Sequence, residues 1–341
     1  MKKICIVILS LCLLLSGCVA ADQPSKKQYT ATFLELFDTV TTLVGRADSQ
    51  EEFEATSQKI HDELEHYHRL FDIYHDYEGI NNLKTVNDSA GLEPVKVDKA
   101  IIDLLKDCKN HYDLTGGKVN VAMGSVLRLW HEARENAVND PKNAQLPSES
   151  DLLDAAAHVS LKAVVIDEEA SIVFITDGFV QLDVGAIAKG WATERVARNA
   201  PKGLLISVGG NVCATGPKAE PDTPWVVGVQ DPDGSQDYLH TLNITGGCVV
   251  TSGDYQRYFT VDGKTYHHII DPETLMPSAF WRSVTVVCGD SGLADALSTA
   301  LFLMPLDEGK ALLKKAGAEA MWVDARGEKY YSDNFKTFIR T

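Results

Sequence analysis

The stretch Asp183-Val184-Gly185-Ala186-Ile187-Ala188-Lys189-Gly190 follows the apolar run Phe179-Val180-Gln181-Leu182 and leads into Trp191-Ala192-Thr193-Glu194-Arg195-Val196-Ala197. This order predicts a strand, a tight glycine turn and a helix. A carboxylate then stands at the strand end, and a lysine stands in the first turns of the helix. Glycine lets a ligand approach the backbone, and a helix N-terminus favours an anion. Taken alone, the stretch also reads as a packed strand–helix junction with a surface lysine.

Further segments of the same kind follow it. Ser207-Val208-Gly209-Gly210-Asn211 is a strand end opening into a tight turn. Thr251-Ser252-Gly253-Asp254-Tyr255 and Tyr266-His267-His268-Ile269-Ile270-Asp271-Pro272 come next, then Ala294-Asp295-Ala296-Leu297-Ser298-Thr299-Ala300-Leu301-Phe302. In this last segment, read as a helix, Asp295, Ser298 and Thr299 fall at i, i+3 and i+4 and share one face. Nearly every other residue there is Ala, Leu or Phe, so the three polar groups need buried partners. All three offer hard oxygen atoms, which suit Mg²⁺ and are poor ligands for zinc or copper. The competing reading has Asp295 capping the helix and the two hydroxyls bonding back to its backbone.

Upstream, Thr32 to Val44 reads as two short strands or one bent one. A helix capped by Ser49 and Glu52 then carries Phe53, Ile60, Leu64, Tyr67, Leu70, Phe71 and Tyr74 at helical spacing. His61, His66, His68 and His75 on or near it read as a solvated face. Asn81 to Glu93 reads as a loop, and a second helix runs from Asp98 to Gly116-Gly117. Lys118 to Trp130 divides at Gly124 into an extended part and a helix. From Ala163 onward short strands dominate, and Asp262-Gly263 is a two-residue hairpin turn. There is no internal repeat. The pattern predicts an α+β fold: one large domain with N-terminal helices packed on mostly antiparallel sheets.

The formal net charge is −16, with 45% hydrophobic and 23% charged residues. A soluble globular body fits these figures, and phosphate-led nucleic-acid binding does not. Lys2-Lys3, an apolar run to Leu15 and Leu15-Ser16-Gly17-Cys18 read as a secretory signal, shorter than a membrane span. The box at its end resembles a bacterial lipoprotein signal. That resemblance implies a signal over 1–17, lipidation of Cys18, a tether over 18–30 and the folded body over 31–341. The chain is then held at the extracytoplasmic face of the membrane. Cys108, Cys213, Cys248 and Cys288 are far apart and form no C-x-x-C pair, which argues against a metal knuckle and leaves them structural.

In this order, the five motifs resemble those of the FAD:protein FMN transferases, the ApbE-type flavin transferase family of bacterial lipoproteins. The resemblance runs from about Phe33 to Phe302 and implies the related fold. It implies that Asp183 and Lys189 contact FAD, and that the Ala186 carbonyl, Asp295, Ser298 and Thr299 hold Mg²⁺. His268 and Ile269 then lie near the flavin nucleotide. Phe37, Tyr74 and the turn Ala122-Met123-Gly124 complete the nucleotide contacts. The chain departs from the family pattern at Val119, Asn120 and Ala122, and at Leu275, where glycine is usual. The implied reaction transfers FMN from FAD to a Ser or Thr hydroxyl of an acceptor protein, expected to be a membrane redox subunit, and releases AMP. Lys189 adds positive charge near the phosphates. His268, Asp254 or Asp271 is the base. Two alternatives compete with it: a Mg²⁺-dependent FAD pyrophosphatase on the same site, and a non-catalytic flavin-binding lipoprotein.

Overall fold

The computed structural model describes residues 26–341 except 220 and 236. In chain order, the elements begin with β1 (Lys27–Phe33), β2 (Thr41–Ala47), α1 (Gln50–Phe71), α2 (Leu83–Asp88), β3 (Val95–Lys96) and α3 (Lys99–Leu114). Next come α4 (Gly124–Asn139), α5 (Glu149–Ala156), β4 (Val164–Asp167), β5 (Ile172–Ile175) and α6 (Ala188–Asn199). They continue as β6 (Leu204–Val208), β7 (Asn211–Ala214), β8 (Trp225–Gln230), β9 (Tyr238–Ile244), β10 (Gly247–Gly253), β11 (Tyr258–Val261) and β12 (Lys264–His267). The chain closes with β13 (Ser283–Cys288), α7 (Ser291–Phe302), α8 (Leu306–Ala316), β14 (Glu319–Val323) and β15 (Lys329–Tyr331).

An eight-stranded antiparallel sheet, ordered β1-β2-β6-β7-β10-β13-β14-β15, carries the fold. Side chains alternate across it, as the two-residue period of a strand requires. Leu204, Ile206 and Val208 of β6 pack with Phe53, Ile60 and Leu64 of α1 and Val196 of α6. Val284 and Val286 of β13 and Trp322 of β14 pack under Leu297 and Leu301 of α7. The intervening residues Val249, Val287, Met321 and Val323 face the β8–β9 hairpin on the other side. Three helices therefore cover one face, and α6 and α7 lie side by side above β7 and β10. The α+β antiparallel architecture expected from the sequence is the one observed.

Several local expectations are corrected. Phe179–Leu182 is not a strand: Gln181 makes one parallel bridge to Met123, and Phe179 is exposed. The segment crosses the turn before α4 with no neighbouring strand to extend a ladder. Within the supposed 81–93 loop lies α2, whose N-cap Asn82 and Thr85 form a reciprocal capping box. Lys27–Thr30, read as the end of the tether, belongs to β1 and pairs with Val44–Ala47. His61 is buried against the Phe33 ring at 4.7 Å rather than solvated. Residues 1–25, with the signal segment and Cys18, lie outside the described residues. No described helix is long and apolar enough to cross a membrane.

Candidate active site at the joint of two helices

The capping alternative for Asp295 does not hold, because Asp290 is the N-cap of α7 and accepts the Leu293 amide at 2.9 Å. Asp295 instead sits one turn inside the helix, facing α6, and is 5% exposed. Its Oδ2 accepts the Gly190 amide at 2.8 Å and Asn211 Nδ2 at 3.2 Å, with Lys189 Nζ at 3.9 Å. Burial raises its carboxyl above the ordinary value. Lys189, the Gly190 amide and Asn211 pull it back only in part.

Such an approach needs glycine at position 190. A Cβ there would lie 2.3 Å from the Ser291 carbonyl oxygen and 2.5 Å from Asp295 Cβ. The bond also has a consequence for Ala186. In a regular helix the residue-190 amide serves the residue-186 carbonyl. Here that amide goes to Asp295, while Ile187 keeps its own bond from Trp191 at 2.9 Å. Among the described residues the Ala186 carbonyl is thus left without an amide partner, at the edge of a buried carboxylate.

The α7 hydroxyls divide. Ser298 is fully buried, and its Oγ is engaged by Ser252 Oγ at 2.8 Å and by the Asp295 carbonyl at 2.9 Å. Thr299 is half-buried, and among the described residues its hydroxyl has no hydrogen-bond partner. A buried carboxylate, a partnerless carbonyl and a partnerless hydroxyl are the all-oxygen donor set that Mg²⁺ prefers. These residues fit such an ion.

Asp183 lies on the outer side of the same turn, with Oδ1 accepting the Gly185 amide at 2.8 Å. Burial raises its carboxyl, opposed by the Gly185 amide and by His131, Arg257 and Lys189 nearby. Tyr74 stacks on His131 with ring centroids 5.4 Å apart, and its hydroxyl is pushed up to about 12 by burial and by Asp183. Phe37 sits in a turn where both Phe37 and Asp38 have positive φ, and its ring meets His68 edge-on at 5.5 Å. Thr39 of that turn presses on Gly209, where a Cβ would come within 2.7 Å.

The turn Ala122-Met123-Gly124 reaches this region through its backbone, since the Ala122 and Met123 side chains are buried. Gly124 donates to the Gln181 carbonyl at 2.9 Å, and Asp183 donates to that of Val121 at 2.8 Å. Asn120, where the sequence departs from the motif, holds the turn by accepting the Ala122 amide at 3.0 Å. Trp130 of α4 anchors the other departure, donating to the Leu275 carbonyl at 2.9 Å. Leu275 itself adopts φ 60°, the left-handed region in which glycine is usual.

His267 and His268 point in opposite directions. His267 is buried: its Nδ1 accepts the Ile269 amide at 3.2 Å, so its Nε2 donates to the Ser278 carbonyl at 2.7 Å. Ile269 goes into the core beside it. His268 reaches solvent, with Nδ1 3.2 Å from the Arg257 carbonyl, which leaves Nε2 as the acceptor. Protein crowded around the ring, and Arg257 next to it, hold the imidazole well below its ordinary value, so it is neutral at pH 7. Of the other two base candidates, Asp254 is paired with Arg282 at 2.8 Å. Asp271 closes its own turn on the Glu273 amide at 2.9 Å.

Asp183, Lys189, Tyr74 and His268 therefore share one electrostatic neighbourhood, and Lys189 and the Gly190 amide tie it to the buried Asp295 carboxylate, with Thr299 one turn further along α7. Arg257, His131 and Asn211 join them. Asn211 was legible as the third residue of Gly209-Gly210-Asn211. Arg257 and His131 carried no motif.

The fold is that of an α+β protein whose glycine turn packs against a buried carboxylate on a neighbouring helix. A family model described as the ApbE family matches residues 37–322, and the chain belongs to that family. A relative from Klebsiella pneumoniae named FAD:protein FMN transferase is 31% identical over 72% of this chain and 78% of its own length. One of the same name from Treponema pallidum is 32% identical over 71% of this chain and 70% of its own. The solved ApbE protein of Thermotoga maritima superposes with a TM-score of 0.81 at 30% identity, covering 92% of this chain and all of the other.

Proposed function

We propose that this protein transfers the FMN moiety of FAD to an acceptor protein. The observation that carries the reading is the Asp295–Gly190 bond, which builds a buried carboxylate into the anion-binding turn of a family whose curated relatives carry that activity in their name. Asp183 and the backbone of 122–124 receive the nucleotide. Lys189 is directed to its phosphates, and Tyr74 and Phe37 wall the flavin side.

A Ser or Thr hydroxyl of the acceptor attacks the phosphorus on the FMN side. One P–O ester bond forms, the pyrophosphate P–O bond breaks, and AMP leaves with the electron pair. His268 Nε2 takes the hydroxyl proton, since its ring is neutral and its Nδ1 is committed to Arg257. The Ala186 carbonyl, Asp295 and Thr299 hold Mg²⁺, which supplies charge neutralisation at the pyrophosphate when bound. Ser298 stands behind Asp295 and fixes α7 against Ser252.

A lipid on Cys18, as its signal box suggests, would hold the enzyme at the extracytoplasmic face of the membrane, where a membrane redox subunit is the natural acceptor. Incubation with FAD, Mg²⁺ and a purified acceptor tests the reading. A covalently fluorescent acceptor band that requires all three components supports it. Stoichiometric FMN and AMP release without acceptor replaces transfer by hydrolysis.

A further inference from the structure

Three thiols far apart in the sequence meet in one row of the central sheet. Cys213 of β7 is in register with Cys248 of β10, and Cys248 with Cys288 of β13. All are free thiols, and all lie on the face covered by α6 and α7. Glu194, one turn beyond Gly190 on α6, hangs over the first two. A Glu194 carboxylate oxygen, Cys213 Sγ and Cys248 Sγ all lie within 4.8 Å of one another. Cys248 Sγ lies 3.9 Å from Glu194 Oε2.

The surroundings aim this set inward. Cys248 is 0% and Cys213 4% exposed. The Glu194 carboxylate is fixed by the Ser291 amide at 2.7 Å on Oε2 and by Arg198 at 2.7 Å on Oε1. The Ser291 hydroxyl is fully buried, with the Cys248 sulfur beside it and no other hydrogen-bond partner among the described residues. The weak contacts of Cys248 with Glu194 and Cys213 do not by themselves account for a carboxylate, two thiols and a hydroxyl gathered at one buried point. A tetrahedral cation does, since zinc–sulfur and zinc–oxygen bonds of about 2.3 and 2.1 Å put donor atoms about 3.4–3.8 Å apart.

We propose that Glu194, Cys213 and Cys248, with the Ser291 hydroxyl as fourth donor, form a buried Zn²⁺ site separate from the Asp295 position. The donor chemistry sorts the two: thiolates select zinc, and the all-oxygen set around Asp295 selects Mg²⁺. Binding displaces the two thiol protons to solvent. The site lies one helical turn from the Gly190–Asp295 bond, between the same two helices and the same sheet. Zinc there fastens α6 and α7 to β7 and β10, and its role is to hold the joint rather than to act on FAD.

The test is a Co²⁺ titration of the reduced, purified protein, followed by thiolate-to-cobalt charge-transfer absorption and by displacement with Zn²⁺. One equivalent of Co²⁺ should give the band, and one equivalent of Zn²⁺ should abolish it and raise Tm. Cys213→Ala and Cys248→Ala should remove the band. Glu194→Gln, which still accepts the Ser291 amide, should weaken binding at least about tenfold, and it remains informative if the cysteine variants do not fold. Asp295→Asn should leave the band unchanged. Absence of the band in the wild type, or a band that survives in Cys213→Ala or is unaffected in Glu194→Gln, overturns the proposal. So does a Cys213–Cys248 disulfide in the protein as isolated, seen by mass spectrometry without reductant.

Discussion

Asp295 Oδ2 lies 2.8 Å from the Gly190 amide, 105 residues away in the chain, and this one bond joins the two motifs on which the site depends. It fixes the distance between α6 and α7 and takes from Ala186 the amide its carbonyl would otherwise have received. Removing the charge while keeping the shape separates chemistry from packing. Asp295→Asn should lower FMN transfer by at least about 100-fold, the scale seen when a charge-stabilising group leaves a reacting centre. Burial of the carboxylate already disfavours its ionised form. In the absence of Mg²⁺, the neutral side chain should therefore keep stability within about 1 kcal/mol or increase it. In-gel flavin fluorescence and thermal melting on the same preparation read both quantities.

Gly190→Ala makes the opposite perturbation. It adds a methyl group at 2.3 Å from a backbone oxygen and leaves every charge in place. Neither helix can yield locally, because Ser291 is held by Glu194 and α7 is buried along nearly its whole length. The variant should lose about 3 kcal/mol of stability, at the upper end of overpacking costs. Urea denaturation measures it. A variant as stable as the wild type would contradict the close approach of the helices.

Much of this site is legible in the sequence, and the limits have physical causes. The stripe Asp295, Ser298, Thr299 follows from helical periodicity alone, and Asp183 to Gly190 follows from the chemistry of glycine turns. Local order is also legible at caps such as Ser49 and Asp98, because a cap depends on neighbours two or three residues away. What stays hidden depends on register or on long-range contact. The row Cys213, Cys248, Cys288 exists only because β7, β10 and β13 pair as they do. Likewise, the hydroxyl of Ser298 is spoken for by a residue on β10, which no helix pattern announces. Phe179–Leu182 has the apolar character of a strand but pairs only through the single Gln181–Met123 bridge, so propensity yields to topology.

As the proposed base, His268 should set the pH dependence. Its pKa lies below the ordinary histidine value of about 6.5, so the neutral, proton-accepting ring is the dominant form at and above neutrality. Activity that depends on it should be lost only as pH falls through that lowered value. The acid limb of kcat/KM should therefore lie below pH 6.5. His268→Ala should cost about 10²–10⁴ in rate, the usual range for a positioned base, and should remove that limb. A limb that persists unchanged in the variant assigns it to another group.

The two hydroxyls on α7 should respond differently to the same change. Thr299 is half-buried with its oxygen unengaged, one turn beyond Asp295 on α7. Thr299→Ala removes a proposed cation ligand while disturbing little packing, so the Mg²⁺ concentration for half-maximal transfer should rise at least about tenfold with stability nearly unchanged. Ser298→Ala removes no free donor. It strands the Ser252 hydroxyl, which should cost about 1 kcal/mol of stability and leave the Mg²⁺ requirement where it was. Both substitutions delete one oxygen from adjacent positions of one helix, so their contrast does not depend on the size of either effect. Equal Mg²⁺ shifts in the two variants would make Ser298 a ligand as well and would require its bond to Ser252 to open when the ion binds.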